Sequence, residues 1–171
     1  MFDTTYIFDG TMVAAAPGGV TGVAITSTTT STNILDLLIA RDVGANEPLG
    51  LHVDITTTFT STNSATLQIA LQVGATTNGT FYTVVETDVV AVAQLIAGAP
   101  IFRYTVPPNQ IQNATAGVLS APPRYLQLKY IVGTGVFSVG SVFSYLNPRE
   151  DRQIYWTYPA NYKTYVPAGE I

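Results

Sequence analysis

Leu51, Val53 and Ile55 alternate with His52, Asp54 and Thr56, and no other feature of the chain restricts its fold as strongly. Side chains two apart share a face of a β-strand, so this spacing calls for a strand with one face in a core and one outside it. The pattern recurs in TLQIALQV (66–73), where Leu67, Ile69, Leu71 and Val73 point inward and Gln68 and Gln72 outward. RYLQLKYIV (124–132) places Leu126, Leu128, Tyr130 and Val132 on one face. VFSVGSVFSYL (136–146) reads as the last strand, with Phe137, Val139, Phe143 and Tyr145 on one face. Gly140 inside it marks a bulge or a close backbone approach.

The segments between fit the same class. GATTNG (74–79) is a hairpin-type turn, FYTVVETDVV (81–90) is β-branched and aromatic, and PIFRYTV (100–106) is a strand closed by Pro107 and Pro108. AVAQLIAGA (91–99) reads as a short helical turn ended near Gly98. TSTTTSTN (26–33) is open between strand and loop, and NILDLLIA (33–40) between a short strand and a helical turn. Residues 109–123, polar, small and bordered by prolines, form a long loop. The reading yields about seven to nine strands with turns at short spacing. That predicts an all-β, antiparallel two-sheet sandwich of jelly-roll or immunoglobulin-like type over residues 1–147. With only 11% charged residues, a bundle of solvent-bathed helices lacks the Glu and Lys its outer faces would need.

Residues 148–171 differ in character. A charge knot, Arg149, Glu150, Asp151 and Arg152, leads into Tyr155, Trp156, Tyr158, Tyr162 and Tyr165 among prolines 148, 159 and 167. Neither alternation nor helical spacing runs through it, so it is read as an extended C-terminal arm. Tyr, Trp and Arg are the residue types that dominate binding hot spots, which makes the arm a candidate contact with a partner subunit. The competing readings are an arm folded back on its own sandwich and an aromatic platform for sugars.

Charge excludes some functions. The net charge is −4, and the seven basic residues, Arg41, Arg103, Arg124, Lys129, Arg149, Arg152 and Lys163, are scattered. A protein that grips phosphates carries a basic patch, so nucleic acid is not an expected partner. The longest apolar run, VVAVAQLIAGAPI (89–101), is shorter than the ~20 residues a membrane helix needs. The first residues lack the basic start of a signal peptide. There is no cysteine, so thiolate metal sites and disulfides drop out.

Catalytic chemistry finds little footing. His52 is the only histidine, and Asp54 faces the same side of the same strand. Without a nucleophile motif the two are expected to be a surface polar pair. No acids fall at calcium-loop spacing. The expectation is a non-enzyme with no metal and no cofactor.

One stretch remains. DLLIARDVGANEPL (36–49) gathers Arg41, Asp42, Gly44, Glu47 and Pro48 into a single polar turn. It resembles a signature of tailed-bacteriophage capsid cement (decoration) proteins, in which Arg-Asp-x-Gly precedes a Pro-Leu that begins a strand. In the same order, SATLQIALQ (64–72), VPP (106–108), the hairpin RYLQLKYIVGTGVFSVGSVFSYL (124–146) and YPANY (158–162) are similar to that family's later segments. The loop 109–123 is longer than the family pattern, and the arm runs on past Tyr162.

The resemblance implies a jelly-roll protein on the outer surface of an icosahedral virion, assembled in the bacterial cytoplasm. It would bind the major capsid protein and reinforce its joints. Homo-oligomers, dimer or trimer, are expected because a low-charge, 47% hydrophobic chain has apolar surface to hide. The alternative function is a carbohydrate-binding sandwich module, such as a host-surface adhesin.

Overall fold

The alternating segments become the long strands of a computed structural model, which describes residues 6–13, 19–37, 49–106 and 124–147. In chain order the strands are β1 (Ile7–Asp9), β2 (Thr11–Met12), β3 (Val20–Thr21), β4 (Val23–Ala24), β5 (Thr29–Thr30), β6 (Leu35–Asp36) and β7 (Leu49–Thr60). They continue with β8 (Thr66–Gly74), β9 (Tyr82–Glu86), β10 (Val90–Ala91), β11 (Pro100–Val106), β12 (Tyr125–Gly133) and β13 (Val139–Asn147). The helical turn expected before Gly98 is a single 3-10 turn, Val92–Gln94. Gly98 follows it with φ +84°.

Every pairing within the two large sheets is antiparallel. The first sheet runs β1-β13-β7-β11, with β4 also on β13. The second runs β10-β8-β12-β5, with β9 also on β8 and β6 also on β12. β1 with β4, β5 with β6, and β9 with β10 each act as one interrupted strand. The expectation of about seven to nine strands is then met by eight principal ones. Numbered in chain order, the eight lie as 1-8-3-6 in one sheet and 2-7-4-5 in the other, the strand order of a jelly roll. The ambiguous TSTTTSTN and NILDLLIA supply the short β5 and β6.

The core lies between the sheets. Leu51, Val53, Ile55, Leu67, Ile69, Leu71, Val73, Leu126, Leu128 and Tyr130 are buried in it, as their alternation predicts. At about 25 cal/mol per Å² of apolar area removed from water, this one cluster supplies the main drive to fold. Gln72 and Gln127 face away from it, yet they too are buried. They pair across β8 and β12, Gln127 Nε2 donating to Gln72 Oε1 at 2.9 Å, and Gln72 Nε2 donates on to Thr83 Oγ1 at 3.2 Å.

The last strand departs from the sequence reading. Phe137 belongs to the main core, where it meets Phe59 edge-on with ring centroids 4.8 Å apart. Phe143 and Tyr145 instead join a second cluster with Ile7. The register between β13 and β7 shifts twice between Val139 and Val142, which reverses which residues face inward. Gly140 sits in that bulge with φ +148°, and a Cβ there would overlap the Phe59 ring.

Candidate functional site

One end of the sandwich collects the strands that border the segments singled out in the sequence. In the first sheet Val106 ends β11 opposite Leu49, and Asn147 ends β13 opposite Gly50. In the second sheet Asp36 ends β6 opposite Tyr125, which starts β12 opposite Gly74. Residues 38–48, 107–123 and 148–171 are therefore each flanked by strands that start or stop at this end. The predicted turn residues Arg41, Asp42, Gly44, Glu47 and Pro48 lie outside the described residues. So do Arg149, Glu150, Asp151, Arg152, Tyr155, Trp156, Tyr158, Tyr162 and Tyr165 of the arm, and the loop 109–123.

The described part of this end is held by charge. Arg124 clamps Asp36 with two parallel bonds, Nε to Oδ1 and Nη2 to Oδ2, each 2.7 Å. That bidentate geometry is the strong form of the pair. It joins the short β6 to the entrance of β12. The Arg124 backbone completes the joint, its N–H donating to Gly74 O and its carbonyl accepting from Leu37 N–H. The guanidinium also lies 5.2 Å over the Tyr125 ring. Hydrogen bonding to Asp36 raises the Arg124 pKa above its ordinary value. The pair is exposed, so its role is to fix geometry more than to stabilise the fold.

On the outer face of the first sheet, the expected His52–Asp54 surface pair takes another form. His52 is half-buried and stacks flat on Tyr145, centroids 4.9 Å apart and planes 5° from parallel. The two face each other across β7 and β13. Asp54 forms an ion pair with Arg103 of the neighbouring β11. The pattern of β7 alone revealed that both side chains face outward; their partners come from strands distant in sequence. Among the described residues no three His, Cys, Asp or Glu side chains gather in a way that could hold a metal ion.

A buried polar cluster went unread in the sequence. Asp9, 1% exposed, accepts from Tyr130 Oη at 2.6 Å and Ser144 Oγ at 3.1 Å through Oδ2, and from Thr32 N–H at 2.7 Å through Oδ1. Tyr130 comes from the second sheet, and Asp9 and Ser144 from the first, so the carboxylate bridges the layers. Neighbouring bonds fasten the same corner: Asn33 N–H donates to Phe8 O, and Asn33 Nδ2 to Ile7 O. Burial, then the negative charge of Asp9, raises the Tyr130 pKa well above the ordinary tyrosine value. The available signal was a lone acid set between Phe8 and Gly10 in a chain with few charges.

The molecule is thus an all-β jelly-roll sandwich with a polar, charge-clamped end and a bridging carboxylate inside. The chain belongs to the Bbp16 family, whose model matches residues 20–146, and the family name is of bacteriophage type. No curated protein matches the chain.

Proposed function

We propose that the chain is a structural virion protein that binds the outside of an icosahedral phage capsid and cements the joints between major capsid protein subunits. It acts without catalysis and without a cofactor. The observation that carries this reading is convergence. The signature turn, the Val-Pro-Pro strand end and the arm are separated in sequence, yet all are bordered by strands that terminate at one end of the sandwich. Membership of a family with a phage-type name supports the same reading. In it, the charge-clamped end faces the shell. Aromatic anchors of the arm, buried at the centre of such a contact, contribute on the order of 2 kcal/mol each. The knot Arg149–Arg152 lies at the rim and sets register. Many identical contacts on a closed shell multiply their strength, and binding only the assembled shell stabilises it by mass action.

Truncation after Asn147 tests the proposal, because β13 ends there. The shortened protein is expected to keep its β-sheet circular dichroism and melting temperature while no longer cosedimenting with expanded shells. Undiminished cosedimentation would remove the arm from the mechanism. Failure of the full chain to bind shells would overturn the whole reading.

A further inference from the structure

The turn that joins β8 to β9 carries Asn78 followed by Gly79, and no other asparagine of the chain precedes a glycine. The backbone nitrogen after an asparagine can attack the side-chain amide carbon and close a succinimide ring. Two things govern that attack: the bulk around the nitrogen, and how firmly amide and nitrogen are held. Glycine has no Cβ and leaves the backbone freest to reach the bent geometry the ring requires.

The fold leaves both partners accessible and loosely held. Thr77 and Asn78 form the middle of the turn, and residues 76–80 are all exposed. Gly79 N–H donates to Thr76 O at 3.4 Å, longer than the roughly 2.7–3.2 Å of an ordinary N–H···O bond. Among the described residues no hydrogen bond holds the Asn78 carboxamide. The other described asparagines are worse placed. Asn33 donates through Nδ2 to Ile7 O and precedes the β-branched Ile34. Asn147 precedes Pro148, whose nitrogen has no hydrogen to give up. Asn63 is exposed, but Ser64 after it has a Cβ. Asp9–Gly10 is the acid form of the same pair, yet Asp9 is 1% exposed and three donors hold its carboxylate.

We propose that Asn78 is a self-modifying site. The deprotonated Gly79 nitrogen attacks Asn78 Cγ. The N–Cγ bond forms, the Cγ–Nδ2 bond breaks, and ammonia leaves, with the proton lost by Gly79 returned through solvent. Water then opens the ring. Attack at Cγ yields aspartate; attack at the backbone carbonyl of residue 78 yields isoaspartate, which routes the main chain through the side-chain methylene. The net change is one water consumed and one ammonia released, with no oxidant, metal or second protein. One carboxylate added to a formal −4 gives −5.

The new charge has a defined place. β8 ends at Gly74, whose carbonyl accepts from Arg124 N–H, so the turn lies at the end that carries the Asp36–Arg124 pair. Negative charge therefore accumulates at that end as the protein ages. An isoaspartate also lengthens the main chain between Val73 and its partner Tyr82. The chemistry needs no shell, so it is independent of the capsid reading.

Incubation of the full chain in mildly alkaline buffer, followed by isoelectric focusing and peptide mapping, tests the proposal. Conversion is expected first at position 78, partly as isoaspartate, and faster as pH rises, because the attacking nitrogen must lose its proton. Gly79→Ala is expected to slow it by about tenfold or more, since a Cβ crowds the nitrogen. That Cβ would meet Thr76 Oγ1, the end of an exposed side chain, so the turn can accommodate it. Asn78→Gln, whose longer side chain disfavours the ring, should stay unconverted at this position. The same chain in urea supplies the rate of the bare sequence, and the folded protein should convert within about tenfold of it, as exposed loop tips do. A folded protein that stays unconverted while the chain in urea converts would overturn the proposal. So would conversion at Asn63 ahead of Asn78, or a Gly79→Ala variant that converts as fast as the unmodified protein.

Discussion

Asp9 accepts three hydrogen bonds inside the sandwich, and its loss would leave the Thr32 N–H and one of the Tyr130 and Ser144 hydroxyls, which also bond each other at 3.0 Å, without an acceptor. Each buried group left without a partner costs about 1–3 kcal/mol. Asp9→Ala is therefore expected to destabilise by about 3 kcal/mol or more, and Tyr130→Phe, which removes the bonds to Asp9 and to Ser144 Oγ but leaves the carboxylate two donors, by about 1–2 kcal/mol. Urea denaturation checks the order; a larger loss for Tyr130→Phe would refute the bridging role. Tyr130 also sets an alkaline limit. Its folded pKa lies above the unfolded value of about 10, so the folded state holds the proton more tightly. Its contribution is complete below about pH 10 and is lost as pH rises from there toward the folded value. Melting temperature should fall above about pH 10, and the Tyr130→Phe variant should lack this part of the fall.

At the scale of elements, what the sequence revealed depended on burial. β7, β8 and β12 were legible because each lays one face on the core, and a one-residue slip would expose that whole face. β13 was half legible: Gly140 marked the bulge, but the direction in which the bulge turns Phe143 and Tyr145 depends on the register with β7. β1 to β4 escaped notice, and β5 and β6 were left open between strand and loop or helical turn, because two or three residues carry no period. The candidate end was legible only as chain segments; Asp9, the His52–Tyr145 stack and the Asp36–Arg124 clamp join residues that no local spacing connects. Gly140→Ala tests the bulge. It must hold a positive φ and displace the Phe59 ring, so a loss of about 2–4 kcal/mol is expected by thermal or chemical denaturation. A neutral result would mean that β13 can re-register.

For the whole molecule, the jelly roll brings most partners together from far along the chain. Ile7 pairs with Tyr145, Leu35 with Leu126, and Val53 with Ser144. Such topologies fold slowly, because loops must close before contacts reward them. Stopped-flow refolding is expected on the millisecond-to-second scale, and microsecond folding would contradict the described pairings. Deleting the chain through Asp9 removes β1 and the bridge together, so it should lower stability by at least as much as Asp9→Ala alone.

The pairing of β1 with β13 also fixes an order of events at the ribosome. Asp9 and Ser144 stand 135 positions apart. At about 5–20 residues per second, the first strand emerges roughly 7–27 s before its partner exists. Until then the nascent chain carries strands with no neighbour, a template on which other chains can add. The first strand is three residues long and ends in a carboxylate, both of which make it a poor seed for aggregation. The contact that closes the sandwich is thus among the last of the described strand pairings that synthesis permits, and the side chain that makes it protects the chain while it waits.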